Sequence, residues 1–287
     1  MKLALVLLAS IFCSVASAAE FGDIIYSKSG DLCTVASATG AGKHCLRDDF
    51  EFDSPAWQPN GRTLVVEAGV HDGPHKLLLL DSSGKTIRSL AKSSGFIRPT
   101  WSSDGKTIYA LSYSLGHAVG RWNADGREFH SVPVRSSIPF QHVQMLAISP
   151  NGARAALLVD DFKRMLIAHV GASGFDVERA LPSGFSYVAQ AVWLDNTRLL
   201  FVGKQDNPRA ELWELNTLTG AVKVRGIKGL WIRDFVALSP DRATAVVCGS
   251  AVGTKDTRWG IWRYSLQKSA LVKLTDGIED VSPAWRK

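Results

Sequence analysis

The chain has 287 residues, of which 46% are hydrophobic, including nine tryptophans, so it can build a packed core. Its 33 Lys and Arg against 27 Asp and Glu leave a formal charge of +6, spread along the chain without a basic run. Nucleic-acid binding is excluded as a leading function, because phosphate-directed proteins gather Lys and Arg into a patch.

In chain order, Met1-Lys2 opens a positive start, Leu3 to Val15 is an almost unbroken apolar run, and Ala16-Ser17-Ala18 has the small-x-small pattern of a signal-peptidase site. The expected division is a cleaved signal peptide over 1–18 and one domain over 19–287. The apolar run is short for a bilayer span, and no later stretch approaches that length. Phe12 before Cys13 is too bulky for a lipidation site. The expected product is a soluble, exported, periplasmic protein. The remaining chain, about 270 residues, suits one large all-β domain.

Three short strands come next: Ile24-Ile25-Tyr26, Leu32 to Ser37, and Lys43 to Leu46. Cys33 and Cys45 lie on the second and third, equidistant from Thr39 in the intervening turn. A tight antiparallel hairpin sets them opposite one another, so they are either a disulfide, which an oxidising compartment permits, or two small buried hydrophobes. Cys248, inside Ala245-Val246-Val247-Cys248, reads as a core residue.

A repeat then organises the chain. Ser54-Pro55-Ala56-Trp57-Gln58-Pro59-Asn60-Gly61-Arg62-Thr63-Leu64 returns as Arg98-Pro99-Thr100-Trp101-Ser102-Ser103-Asp104-Gly105-Lys106-Thr107-Ile108. Weaker copies are Leu146-Ala147-Ile148-Ser149-Pro150-Asn151-Gly152, Ala191-Val192-Trp193-Leu194-Asp195-Asn196 and Val236-Ala237-Leu238-Ser239-Pro240-Asp241, and the chain ends in Ser282-Pro283-Ala284-Trp285. Trp57, Trp101, Ile148, Trp193, Leu238 and Trp285 follow one another at spacings of 44, 47, 45, 45 and 47. A period near 45 matches one four-stranded propeller blade. The apolar run at the tryptophan is an inner strand, Pro-Asn/Asp-Gly is a tight turn, and Leu64-Val65-Val66 or Ile108-Tyr109-Ala110-Leu111 is the second strand. A second hairpin follows, as in Leu77 to Lys85, Val119 to Arg127, Leu212 to Gly220 and the one opened by Trp259 to Tyr264. The last inner strand, Val281 to Arg286, lacks the three strands that the N-terminus has to spare. The expected fold is therefore an all-β, six-bladed β-propeller whose last blade joins the C-terminal strand to the N-terminal strands, leaving no free sheet edge between the ends.

On the Pro-x-Trp-x-x-Asn/Asp-Gly-Arg/Lys-x-Leu/Ile copies the chain resembles the TolB-like propeller repeat family across nearly all of its length. The resemblance implies an envelope role, TolB being the periplasmic Tol–Pal member whose propeller docks a peptidoglycan-associated lipoprotein. TolB carries an α/β domain before its propeller, whereas here the first strands follow closely on the expected cleavage site, so a stand-alone relative is expected.

No nucleophile elbow, P-loop, dinucleotide fingerprint or His-Glu-x-x-His stands in the chain, and no cofactor is expected. Function then belongs to loops gathered at one channel mouth. Residues entering the inner strands are Asp53, Arg98, His142, Tyr187, Arg233 and Asp280; the second loop set includes His71 to His75, Ser114 to His117, Asp160-Asp161, Lys204 to Arg209, and Gly249 to Arg258 as the longest. His71, Asp72, His75 and His117 are either metal ligands or polar loop residues, and Asp160-Asp161 either a calcium ligand pair or an exposed turn. Neither counts as a metal site in the expected set. Arg98 and Arg233 either grip a ligand's carboxylate or phosphate or pair with Asp53, Asp234 or Asp280. Trp231 is the tryptophan expected to face a ligand or partner. The expected binding set is thus Arg98, His142, Trp231, Arg233, His71 and His75. The expected function is non-enzymatic binding of an envelope protein or peptide by a monomer; the alternatives are a metal-dependent lyase or lactonase, or a carbohydrate-binding module, using the same funnel.

Overall fold

The computed structural model describes residues 23–286, apart from 71–72, 182–183, 206–208, 254–257 and 278. The expected signal peptide lies outside the described residues.

The chain opens with β1 (Ile24–Lys28), β2 (Asp31–Val35) and β3 (His44–Leu46). A second group is β4 (Glu51–Trp57), β5 (Thr63–Gly69), β6 (Lys76–Asp81) and β7 (Thr86–Ser89). Then come β8 (Ile97–Trp101), β9 (Thr107–Leu111), a single 3-10 turn at Tyr113–Leu115, β10 (Ala118–Asn123) and β11 (Phe129–Arg135). These are followed by β12 (Val143–Ile148), β13 (Arg154–Val159), β14 (Arg164–Gly171) and β15 (Gly174–Ala180). The remainder is β16 (Tyr187–Trp193), β17 (Arg198–Lys204), β18 (Glu211–Asn216), β19 (Val222–Val224), β20 (Leu230–Leu238), β21 (Thr244–Ala251), β22 (Gly260–Ser265), β23 (Leu271–Lys273) and β24 (Asp280–Trp285). Among the described residues these strands make four four-stranded sheets and one eight-stranded sheet, in which β8–β11 and β12–β15 are joined by parallel pairing of β11 with β15. The fold is an all-β propeller.

The first sheet has the order β24-β1-β2-β3, so the last strand pairs antiparallel with the first, Ile24 opposite Trp285 and Lys28 opposite Asp280. Apolar residues dominate β5, β6, β9, β13, β17 and β21, with Glu67 the exception on β5, because these strands are covered on both faces. Buried clusters bridge neighbouring groups of strands in succession. One packs Ile25 and Leu32 against Phe52, Leu64 and Leu78; the closing one packs Ile24, Tyr26 and Cys33 against Val246, Cys248 and Ile261.

The repeated tryptophan ties copies together. Trp101 and Trp193 each donate the indole N–H, at 3.0 Å, to a carbonyl on the inner strand of the preceding copy, Ala56 and Ala147. A large apolar ring with one polar handle suits a boundary that needs both burial and one directed bond. The Asx residues pin the turns that follow the inner strands. Asp104 Oδ1 accepts from the Lys106 N–H and Ser102 Oγ, and Asp241 Oδ1 accepts from the Ala243 N–H and Ser239 Oγ.

Two strand boundaries differ from the sequence expectation. The segment from Gly249 is not all loop, since β21 carries its ladder through Gly249, Ser250 and Ala251 opposite Ile232, Trp231 and Leu230. The small residues there serve close packing: a Cβ at Gly249 would meet Leu230 Cγ at 2.7 Å. The second N-terminal strand stops at Val35 rather than Ser37, because Ala36 and the following residues turn, with Ala36 N–H donating to the Ala41 carbonyl at 2.9 Å.

Candidate functional site: the mouth of the central channel

The inner strands β4, β8, β12, β16, β20 and β24 surround a cavity of about 620 Å³. Each of them carries a register shift near its start, against β5, β9, β13, β17, β21 and β1 respectively. At three of the shifts a non-glycine residue adopts a left-handed backbone just before a proline: Ser54 (φ 47°), Arg98 (φ 51°) and Ser282 (φ 50°). A bulge re-aims the side chains that follow it, and recurrence of such a costly conformation around one opening marks a shaped surface.

Polar contacts run around this mouth from strand to strand. Ser282 Oγ donates to Asp53 Oδ1 at 2.5 Å. The Arg98 guanidinium donates to the Gln144 carbonyl at 2.8 Å and lies 4.9 Å from the centre of the Phe162 ring. Phe162 and Tyr187 are ring neighbours at 6.0 Å, and Tyr187 Oη donates to Asp234 Oδ1 at 2.8 Å. Burial, the Asp234 hydrogen bond and its negative charge together hold the Tyr187 phenol above its ordinary range. Lys204 Nζ sits 5.2 Å over the same ring. One side of the mouth is therefore a cation–aromatic arc (Arg98, Phe162, Tyr187, Lys204), while Asp53, Ser54 and Ser282 form a hydroxyl and carboxylate side.

A buried carboxylate stands behind Arg98. Glu67, opposite Asp53 on β5, accepts the Arg98 backbone N–H at 3.1 Å and pairs with His75 Nδ1 at 2.6 Å. Burial pushes the Glu67 carboxyl above its ordinary value and Asp53 adds to this, against the opposing pull of the Arg98 N–H and His75. The sequence carries one signal for Glu67 beyond those that single out the loops: a lone charge inside the apolar run Leu64 to Ala68. Gln144 and Phe162 carry no such signal.

Of the expected binding residues, Arg98 is at the mouth. Its partners are Gln144 and Glu67, not Asp53, Asp234 or Asp280, because the bulge turns its N–H towards β5 and its side chain towards β12. Arg233 is exposed and stacks 5.6 Å from the Trp259 ring, again without those acids. Trp231 is 37% exposed, with the Arg209 guanidinium 4.5 Å from its ring. His142 approaches Asp161 at 3.9 Å, and His75 is half-exposed on Glu67. His117 stacks on Phe140 at 4.3 Å. His71 and Asp72 lie outside the described residues. Asp160 and Asp161 are engaged by protein groups: Arg164 and the Gln141 N–H bond the first, and Gln144 Nε2 the second. No group of three or more His, Cys, Asp or Glu converges as a metal cage among the described residues. Cys33 and Cys45 are paired in register and disulfide-bonded, with Cα atoms 4.0 Å apart. Cys248 is buried, and burial pushes its thiol up to about 12, which leaves it a packing residue.

The sequence matches the family model of the lipoprotein LpqB β-propeller domain, Gmad1, over residues 33–224. Among solved structures, TolB from Acinetobacter baumannii matches with a TM-score of 0.71 at 18% identity, covering 92% of this chain and 66% of that one. This chain thus spans just under two thirds of that TolB. A putative TolB from Agrobacterium tumefaciens matches with a TM-score of 0.64 at 12% identity over 91% of this chain and 90% of its own. An oligogalacturonate lyase in complex with manganese matches with a TM-score of 0.53 at 15% identity, over 90% and 74%. No curated protein matches the sequence. Similarity at these identities bears on the fold alone. The family match covers well over half of the chain, and the structure is a TolB-like propeller: this chain belongs to the LpqB lipoprotein β-propeller family.

Proposed function

We propose that this chain is an exported, six-bladed propeller, cleaved after Ala18, that binds a protein or peptide of the cell envelope without catalysing a reaction. Six copies of the repeat, the sheet joining β24 to β1–β3, and the unbroken succession of core clusters support six blades. The family description and the TolB likeness support an envelope location.

One observation carries the binding reading: the arc of Arg98, Phe162, Tyr187 and Lys204 at a bulged channel mouth. Arginine and tyrosine held in place by packing and hydrogen bonds are what interface hot spots are made of, since little entropy remains to be lost on binding. Trp231 with Arg209 extends the same chemistry outwards. The test is capture from an envelope extract by the purified protein and by an Arg98→Ala/Trp231→Ala variant with the parent's melting temperature. A partner retained by the parent should bind the variant at least about tenfold more weakly, as loss of hot-spot side chains requires. Equal retention by both refutes the mouth as the site.

Glu67 and His75 favour a second reading, a small-molecule lyase, because a buried carboxylate with a raised pKa beside a histidine can pass a proton. Turnover of an acidic oligosaccharide that Glu67→Gln abolishes would establish it over the first.

A further inference from the structure

At the opposite end of the channel one turn keeps the repeat's hydrogen bond but changes its residue. Gly61, Gly105 and Gly152 close the turns after β4, β8 and β12, with φ of 69°, 69° and 72°. Each donates its N–H three residues back, to the carbonyls of Gln58, Ser102 and Ser149. The turn after β20 makes the same bond, from the Arg242 N–H to the Ser239 carbonyl at 2.8 Å, but the left-handed residue is now an arginine at φ 57°. Left-handed backbone is cheap for glycine and strained for a side chain with a Cβ, so this arginine is held at a cost three sister turns avoid.

The substitution moves a cation towards the channel. In the first two copies the basic residue stands one position later, as Arg62 and Lys106; both are exposed and neither lines the cavity. In this copy the later position is Ala243, and Arg242 does line the cavity. At the equivalent glycines a Cβ would meet the turn of the preceding copy, Gln58 and Pro59 at 3.2 Å from Gly105 and Ser103 Oγ at 3.0 Å from Gly152, so this position lies on the rim beside the neighbouring turn. The adjacent Asp241 is occupied by Ser239 Oγ and the Ala243 N–H, and no acidic side chain among the described residues pairs with Arg242. Above it the lining mixes apolar residues, among them Leu146, Ala147, Val192, Ala237, Leu238 and Ala284, with polar ones such as Gln58, Ser102 and Gln190.

The geometry points to a second binding site, at the mouth remote from Arg98, in which Arg242 holds the oxyanion head of an amphiphilic ligand and the channel wall takes its apolar body. A cation at the rim of a partly enclosed channel favours an anion, and the cavity volume lies in the range of about 300–1,000 Å³ common for small-molecule sites. The head is a carboxylate or a phosphate monoester, either of which a guanidinium can bind through two N–H groups. The site does not depend on the envelope-partner reading, which concerns the other mouth.

Octanoate, octyl phosphate, 1-octanol and inorganic phosphate distinguish the parts of this claim, titrated into the purified protein by calorimetry and by tryptophan fluorescence, since Trp57, Trp101, Trp193 and Trp285 line the cavity. One or both octyl anions should saturate at one per chain, and which does so separates an aliphatic carboxylate from a lipid phosphate. Octanol and inorganic phosphate should bind at least about tenfold more weakly, for want of charge or of apolar contact. Arg242→Gly should lose at least about tenfold in affinity without loss of melting temperature, because glycine restores the conformation of the sister turns. Arg242→Lys, which keeps the charge but not the two-pronged bond, should bind less tightly than the parent and more tightly than Arg242→Gly. Absence of octyl-anion binding, equal binding of octanol or inorganic phosphate, or unchanged binding by Arg242→Gly overturns the proposal.

Discussion

Glu67 shows how one residue's environment decides its chemistry. A carboxylate on an exposed strand would ionise near pH 4.3, but the β5 strand buries this one between Asp53 and His75. Because its folded pKa is raised, the folded state holds the proton more tightly than the unfolded chain. Folding stability contributed by this group is therefore present below about pH 4.3 and is lost as pH rises through the folded value. Melting curves of the parent and of Glu67→Gln from pH 4 to pH 7 should show the parent losing ground to the variant as pH increases. A gap that narrows instead would mean that the His75 pairing outweighs the burial. Arg98 makes the complementary point about legibility. Its place at the start of an inner strand was readable from the repeat, whereas its partners were not, since Gln144 and Phe162 reach it from the following copy of the repeat.

At the scale of elements, local pattern was a good guide wherever a strand and its turn are neighbours in sequence. The β2–β3 hairpin sets Cys33 opposite Cys45, as their symmetric spacing about Thr39 implies. The disulfide closes a loop with a sequence separation of 12 within the closing sheet. Converting both cysteines to serine should cost about 3 kcal/mol through the greater freedom of the unfolded chain. Denaturant unfolding with a lower midpoint and a somewhat steeper slope would register it; an unchanged midpoint would mean that the disulfide adds nothing to global stability. Pattern was a poor guide at the bulges. Ser54, Arg98 and Ser282 each precede a proline, which disfavours helical backbone and reads as extended chain, yet all three are left-handed. That conformation is imposed by neighbouring strands converging on the channel, and no local preference asks for it.

For the whole molecule, closure is the feature that everything else leans on. β24 gives β1 its antiparallel partner and packs Pro283 and Ala284 towards the channel. A chain ending at Glu279 should lose about 5 kcal/mol or more from forfeited burial and an exposed β1 edge. A synthetic peptide of residues 280–286 added in trans should recover part of the lost melting temperature by refilling that edge, and failure to do so would mean that β24 is not what holds the ends together. The sequence by itself determined the all-β class, the period near 45 residues and the hairpins, because strand alternation, turn chemistry and the tryptophan slot are local and repeat in every copy. Only the tertiary structure decided which side chains meet at either mouth of the channel. Arg98, Phe162, Tyr187 and Asp234 come from separate copies of the repeat, and Arg242 stands on the rim of the cavity with a backbone angle that its own residue type disfavours. Contacts made across a ring depend on how the copies are arranged around it, and no window of sequence shorter than the ring contains that information.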